Sequence, residues 1–151
     1  MAAVVPASAQ SRPEPTNAPV ITVRGFSFAL SVPDLDASVR WYSEKLGLRQ
    51  VMRQPRNDQT RAAVVVLEGG GLTVELVKHD DAKPSSRAPG PETSHGIFKV
   101  GLTVDDFDAT LATLRARGVE IAMGPWPKRS DQPANVMIRD NAGTLIQIVG
   151  R

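Results

Sequence analysis

The chain has 151 residues, of which 41% are hydrophobic, and its 18 lysines and arginines against 16 acidic residues give a formal net charge of +2. This length suits one compact domain, and so small a positive excess argues against nucleic acid as a partner. Because the sequence has no cysteine, disulfides, thiol catalysis and cysteine-ligated metals are excluded. The longest apolar run, Ala62 to Leu67, is far shorter than the ~20 residues that span a bilayer, so we expect no membrane association.

The N-terminal segment has two interpretations. Residues 1–19 are rich in Ala, Pro and Ser and lack a sustained period, which predicts a disordered tail. Residues 2–9 also resemble the last part of a secretory signal, with Ala7-Ser8-Ala9 as its small-residue cleavage site. The chain as it stands predicts a cytoplasmic protein, whereas a signal remnant predicts a periplasmic or secreted one. Residues 20–151 are predicted to form a single domain.

The first module is predicted within residues 22–79. Large apolar residues alternate with small or polar ones from Gly25 to Val32, which predicts a strand with one face in the core. A helical apolar stripe follows, with Asp36 as its predicted N-cap and Gly47 as its C-terminal stop. Three more strands, separated by a turn at 55–58 and a reversal at 69–71, are predicted at 48–54, 61–68 and 72–79.

A near repeat links the two halves of the chain. The segment Val32-Pro33-Asp34-Leu35-Asp36-Ala37 returns 72 residues later as Val104-Asp105-Asp106-Phe107-Asp108-Ala109. An offset of about half the chain predicts one structural unit used twice, with each copy at a strand-to-helix corner. Residues 80–94, which contain several Pro and Gly, are the predicted linker.

The second module is predicted within residues 95–150 and repeats the first. Alternation from Phe98 to Val104 predicts a strand, and the next helix has Asp108 as its predicted N-cap and Gly118 as its end. A loop that carries Trp126 is predicted at 124–133, between strands at 119–123, 135–139 and 144–149. Two tandem βαβββ modules place the fold in the α+β class.

The segments Phe28–Asp36, Trp41–Leu48 and Asp140–Ile148 carry a resemblance to a known superfamily. Within a doubled βαβββ unit they resemble the vicinal oxygen chelate superfamily, which includes glyoxalase I, extradiol dioxygenases and bleomycin- and fosfomycin-resistance proteins. The resemblance covers roughly residues 22–151. It implies a curved mixed sheet around a cleft, with helices outside, and a homodimer.

The resemblance also implies which residues face the cleft. Metal-using members take their ligands from the first and fourth strands of each module, and the matching positions here are Ser27, Glu75, Lys99 and Gln147. The repeat supports the match independently, because Lys99 follows Ser27, and Gln147 follows Glu75, by the same 72 residues. Each of the four also alternates with the core-forming residues of its strand.

These four residues depart from a metal-ligand set. A catalytic divalent ion needs about three protein ligands from His, Asp or Glu, and only Glu75 is one of these. The ammonium group of Lys99 would repel a cation directly. We therefore expect no metal and no other cofactor, and we do not expect metal-dependent glyoxalase or dioxygenase chemistry.

Glu75 and Lys99 have two interpretations. In the first, Lys99 replaces the metal electrostatically and holds an anionic group of a ligand. Glu75, with apolar neighbours such as Val51 and Val65, then acts as a general base. In the second, the two side chains form a structural ion pair or each faces water.

Further residues are predicted to contact a ligand. The cleft in this hypothesis is lined by Ser27, Gln147, Val51 and Val65. Trp126 and Met137, with Met123, form an apolar wall. Packing in the core or against a second subunit is the alternative for the aromatic and sulfur-containing side chains.

Three function classes remain open for a protein whose expected partner is a small molecule. The first is a metal-independent lyase or isomerase that uses Glu75 and Lys99 on a small carbonyl or aromatic compound. The second is a non-catalytic binding protein of the bleomycin-resistance type. The third is a diverged metal-dependent lyase or dioxygenase with His79, Glu75 and His95 as ligands.

Overall fold

A computed structural model describes residues 25–83 and 97–151. The tail predicted at 1–19 and most of the linker predicted at 80–94 lie outside these residues. In the described parts of the chain, no helix is long and apolar enough to cross a bilayer.

The first module forms one four-stranded sheet with a helix on one face. Its strands lie in the order β1-β4-β3-β2, with β1 parallel to β4 and the other pairs antiparallel. The elements are β1 (Phe26–Ser31), α1 (Leu35–Leu46), β2 (Arg49–Gln54), β3 (Ala62–Gly69) and β4 (Leu72–His79).

The second module repeats this topology in a sheet of its own, ordered β5-β8-β7-β6. Its elements are β5 (Val100–Val104), α2 (Phe107–Ala116), β6 (Glu120–Trp126), β7 (Asn135–Arg139) and β8 (Leu145–Gly150). The predicted α+β class with tandem βαβββ modules is thus confirmed. Within one chain β1 and β5 are edge strands of separate sheets, so the eight strands do not form one continuous sheet.

Both helices begin at the repeated corner. Their N-caps are Asp34 and Asp106, so the predicted caps Asp36 and Asp108 were wrong by two residues. Each cap carboxylate accepts a hydrogen bond from the backbone N–H three residues later, at 2.9 Å. This bond satisfies one of the free N–H groups of the first turn, and it requires the extended backbone that the caps have and the later aspartates do not.

Two strands of the second module differ from their predicted bounds by more than one residue. β5 begins at Val100 rather than Phe98, and β6 continues to Trp126 through residues that were predicted as a loop. The pairing of β6 with β7 shifts register on both sides of Met123. These irregular steps let the strand pass through Gly124 and Pro125, and they also remove the alternation by which a strand is recognised.

The two modules share one core. Buried residues from the helix side of both sheets form a single cluster that includes Leu67, Leu76, Ile138 and Ile146. Each sheet therefore turns one face into this shared core and leaves its other face without a helix. We call these other faces the open faces of the first and second sheets.

Candidate functional site

The open face of the first sheet carries two of the predicted site residues. Ser27 pairs with Thr73, and Ala29 pairs with Glu75, across the parallel strands β1 and β4. Directly paired residues share a face, so Ser27 and Glu75 lie diagonally from each other on the open face. Both side chains are exposed.

The two valines that were predicted beside Glu75 are not its neighbours on the open face. Val65 pairs with Leu76 on the helix side of the sheet and is 0% exposed, so it cannot contact Glu75 or a ligand on the open face. Val51 lies at a register shift in the edge strand β2 and is 40% exposed. The neighbour of Glu75 on its own face is Val66, its partner in β3.

The open face of the second sheet brings together a polar pair and an apolar wall. Gln147 pairs with Met137, Met137 with Met123, and Asn135 with Trp126 across neighbouring strands. The amide Nε2 of Gln147 donates a hydrogen bond of 3.0 Å to Oδ1 of Asn135. Three predicted ligand residues, Gln147, Trp126 and Met137, are thus placed on one face.

Lys99 lies at the end of this second sheet. It precedes β5, whose first residue Val100 pairs with Ile146, the neighbour of Gln147. Its Nζ lies 5.5 Å from the centroid of the Phe98 ring. The ring face is negative, so this contact stabilises the ammonium group.

Glu75 and Lys99 do not meet within one chain. They belong to open faces of different sheets, and none of the ion pairs among the described residues involves either of them. The predicted structural ion pair between them is therefore wrong for the single chain, because the modules pack through their helix sides.

The four family positions do not fit a divalent metal. Ser27 and Glu75 lie on one sheet and Lys99 and Gln147 near the other, and only Glu75 supplies an anionic oxygen. In residues 25–83 and 97–151, no three His, Asp or Glu side chains cluster as ligands.

The alternative metal site at the histidines gains no support from geometry. His79 ends β4 and its Nδ1 accepts a hydrogen bond from the backbone N–H of Asp81 at 3.1 Å. Glu75 lies four residues earlier in the same strand, about 13 Å away at the rise of an extended chain. His95 lies outside the described residues.

Two residues important to the second module were missed by the sequence reasoning. Asn135 is 3% exposed and orients Gln147, while its own Nδ2 donates to the carbonyl of Pro133 at 3.2 Å. Asp140 is 4% exposed and accepts a hydrogen bond of 2.8 Å from the hydroxyl of Tyr42 in the first module. A polar residue bordering an otherwise apolar strand was the available signal in both cases.

A separate open groove of about 650 Å³ lies between the modules, on the helix side. It is lined by the β3–β4 turn, the end of α1, strand β5 and helix α2. None of Ser27, Glu75, Lys99 and Gln147 lines it.

Solved structures of known proteins share this fold. A glyoxylase/bleomycin resistance protein/dioxygenase domain from Frankia sp. EAN1pec is similar at 26% identity and a TM-score of 0.65, covering 87% of this chain and 93% of its own. TnmS3, an antibiotic binding protein from Streptomyces sp. CB03234, is similar at 23% identity and a TM-score of 0.60. That likeness covers 88% of this chain and 98% of TnmS3.

Sequence comparisons agree with the fold. A probable lactoylglutathione lyase of Vibrio cholerae serotype O1 is 24% identical over 124 residues, which cover 80% of this chain and 85% of that protein. The sequence model of the Glyoxalase/Bleomycin resistance protein/Dioxygenase superfamily matches residues 26–148, which include every helix and nearly every strand described above. The chain is therefore a member of the Glyoxalase/Bleomycin resistance protein/Dioxygenase superfamily.

Proposed function

We propose that this protein binds a small apolar or aromatic molecule on the open face of its second sheet, without a divalent metal. The observation that carries the proposal is the hydrogen-bonded pair of Gln147 and Asn135 beside Trp126 and Met137. Polar groups placed among aromatic and soft side chains are typical of small-molecule sites.

The side chains on this face have complementary tasks. Trp126 and Met137 offer a flat ring and a polarisable thioether, which suit an aromatic or apolar ligand. The bond from Nε2 of Gln147 to Asn135 leaves the amide oxygen of Gln147 as an acceptor for a ligand hydroxyl or N–H group. Asn135 is held by the backbone of Pro133, so the acceptor position is fixed before a ligand arrives.

The comparisons support a binding function at a coarser level. TnmS3, which shares the fold, is an antibiotic binding protein. The superfamily itself includes bleomycin resistance proteins. For this chain the chemical class of the ligand rests on its own side chains rather than on these names.

Native mass spectrometry of the full chain against a library of small aromatic compounds tests the proposal. We expect at least one compound to bind, with a dissociation constant that treatment with EDTA leaves unchanged. Gln147→Ala and Trp126→Ala should each weaken that binding roughly tenfold, about 1.4 kcal/mol, the effect of one lost hydrogen bond or ring contact.

Gln132→Ala is the matched control for Gln147→Ala. Gln132 is an exposed glutamine in the segment between β6 and β7, so its removal should leave affinity unchanged. A ligand whose affinity is insensitive to both site variants, or is lost with EDTA, would contradict the proposal.

A second candidate function is a metal-independent lyase or isomerase. It is favoured by the exposed carboxylate of Glu75 and by the ammonium of Lys99, which has no carboxylate partner in the described chain. In this reaction Glu75 would take a proton next to a carbonyl, and Lys99 would hold the enolate that results. The relative named as a probable lactoylglutathione lyase supports this class of chemistry.

This second candidate requires a homodimer. The single chain keeps Glu75 and Lys99 on different open faces, and the edges of β1 and β5 are each without a strand partner in the described residues. A second copy that pairs with these edges would set the first sheet of one chain against the second sheet of its partner. Glu75 and Lys99 would then face each other across the interface.

A further inference from the structure

The ends of the two helices meet through a reciprocal pair of hydrogen bonds. Arg117 donates from its guanidinium to the carbonyl of Lys45 at 3.1 Å, and Lys45 donates from Nζ to the carbonyl of Arg117. The two residues are 72 apart, the offset of the sequence repeat. Such an exchange marks a pseudo-two-fold axis between the modules.

This axis relates two contacts between a helix and a turn. In one, α1 meets the β7–β8 turn, where Tyr42 donates to Asp140 at 2.8 Å and Asn141 donates to Ser38 at 3.1 Å. The ring of Tyr42 is 0% exposed and packs edge-on against Trp41, with centroids 4.9 Å apart. An aromatic ring thus fills this contact.

The other contact is the groove of about 650 Å³ between α2 and the β3–β4 turn. At the repeat offset, Leu114 stands where Tyr42 stands in the first helix, and Thr113 stands in place of Trp41. The turn residues are Gly69, Gly70 and Gly71, and a Cβ placed at either of the last two would meet no atom within 4 Å. Smaller residues on both sides therefore leave a groove where the related contact is packed.

We propose that this groove is a binding site for a small aromatic anion, such as an aromatic carboxylate or sulfonate. The related contact holds an aromatic ring, and a volume of about 650 Å³ lies within the range of small-molecule pockets. Leu48, Leu102 and Ile148 among its lining residues supply apolar surface for a ring.

Charge selects an anion over a neutral ring. Lys45 and Arg117 line the groove, and each keeps N–H groups beyond the one that bonds the opposite carbonyl. The acidic side chain in the lining, Asp106, already accepts a hydrogen bond from Ala109 as the N-cap of α2. The lining thus has two cationic side chains and one carboxylate, so its net charge is positive. A positive lining suits a ligand with a carboxylate or sulfonate group.

The groove is lined by none of the side chains on which the function proposed above rests, and the site goes beyond that function. The probes are the anion 8-anilinonaphthalene-1-sulfonate and its neutral analogue N-phenyl-1-naphthylamine, each titrated into the ¹⁵N-labelled full chain. We expect the anion to bind roughly tenfold more tightly than the amine, as a charge-assisted hydrogen bond predicts. The changes in backbone amide chemical shift that the anion causes should be largest at Gly69, Gly70 and Gly71.

Filling the groove provides the second arm of the test. Thr113→Trp places a ring where the first helix has Trp41 and should weaken sulfonate binding at least roughly tenfold, because the ring would occupy the ligand volume. Ala112→Trp is the matched control, since Ala112 is exposed on the same helix outside the groove. It should leave binding unchanged.

A charge variant keeps the proposal testable if the tryptophan variant folds poorly. Ala109→Glu adds a carboxylate to the lining at the third helical position, where Glu favours the helix, and should also weaken sulfonate binding roughly tenfold. Equal affinity for the neutral amine, or amide shifts confined to the open faces, would overturn the proposal. So would unchanged binding in both groove variants.

Discussion

At the scale of single residues, the contact of Tyr42 with Asp140 joins the two modules most directly. Asp140 accepts from the Tyr42 hydroxyl through Oδ2 and from the backbone N–H groups of Ala142 and Thr144 through Oδ1. These three bonds satisfy a carboxylate that is only 4% exposed. A buried carboxylate is tolerated only when its oxygens are paired in this way.

Burial raises the pKa of Tyr42 far above its ordinary value of 10.0, and the charge of Asp140 and the hydrogen bond to it act in the same direction. The folded chain therefore keeps the phenol proton that an unfolded chain loses above about pH 10. This contribution to stability is fully present below pH 10, and it decreases by about 1.4 kcal/mol per pH unit above it.

Tyr42→Phe tests this pH dependence. Tyr42 is the sole tyrosine in the chain, so tyrosinate absorbance reports on it alone. We expect no tyrosinate signal at about pH 11 in folded protein, and a steeper loss of unfolding free energy above about pH 10 in the wild type than in the variant. At neutral pH the variant should be less stable by about 1–3 kcal/mol, because Asp140 loses a donor.

Denaturant unfolding at several pH values, with absorbance recorded in parallel, supplies both measurements. The two proteins differ only in the hydroxyl of residue 42, so the difference between the two stability curves isolates the effect of Tyr42. Tyrosinate absorbance that rises near pH 10 before the fold is lost would show that the hydroxyl is not held as described.

At the scale of elements, each helix starts at a repeated corner with an equivalent pair of aspartates two residues apart, Asp34 and Asp36 in the first copy and Asp106 and Asp108 in the second. The first aspartate of each pair, Asp34 or Asp106, caps the helix, while Asp36 lies in the first turn and pairs with Arg53 at 2.8 Å. The hydrogen bond from Arg53 lowers the pKa of the exposed Asp36 carboxylate. The same residue type thus has two roles two positions apart.

Alanine substitutions at the corner should separate these roles. Asp34→Ala and Asp106→Ala should each destabilise the protein by about 1 kcal/mol, because an N–H of the first turn loses its acceptor. Asp36→Ala is the matched control and should have a smaller effect, since an exposed ion pair contributes little. Thermal unfolding measures all three, and equal losses at Asp34 and Asp36 would contradict the cap assignment.

At the scale of the whole molecule, Glu75 and Lys99 lie on different sheets of one chain, so the proposed lyase or isomerase activity depends on the association of two chains. If the lyase or isomerase proposal holds, Glu75→Gln and Lys99→Met should each abolish turnover of any small carbonyl compound that the wild type converts. Glu75→Gln should keep ligand affinity, because it removes the base and little of the volume.

Mixing the two inactive variants tests whether the site is shared between subunits. Random exchange of subunits makes half of the dimers mixed. Each mixed dimer has one intact pair of Glu75 and Lys99 out of two, so about a quarter of wild-type activity should return. Sedimentation of the same samples reports the oligomeric state. If the mixture is dimeric and its subunits have exchanged, yet it stays inactive, the shared site is ruled out.

Local patterns in the sequence were sufficient for the repeat, for both helices and for most strand bounds. Alternation and helical spacing depend on near neighbours, so β4 was predicted at Leu72–His79 as it is found. Local patterns do not predict which side chains face the core where consecutive residues are all apolar. Val64, Val65 and Val66 are all apolar, and only pairing with β4 decides that Val65 faces the core and Val66 faces Glu75.

The sequence by itself determined the two modules and the equivalence of Ser27 with Lys99 and of Glu75 with Gln147. Only the tertiary structure decided which of these residues lie together. The modules pack through their helix sides because their largest apolar areas lie there, and burial of those areas dominates the free energy of folding. That packing separates Glu75 from Lys99 and leaves the groove beside α2, and no periodicity in the chain predicts either outcome.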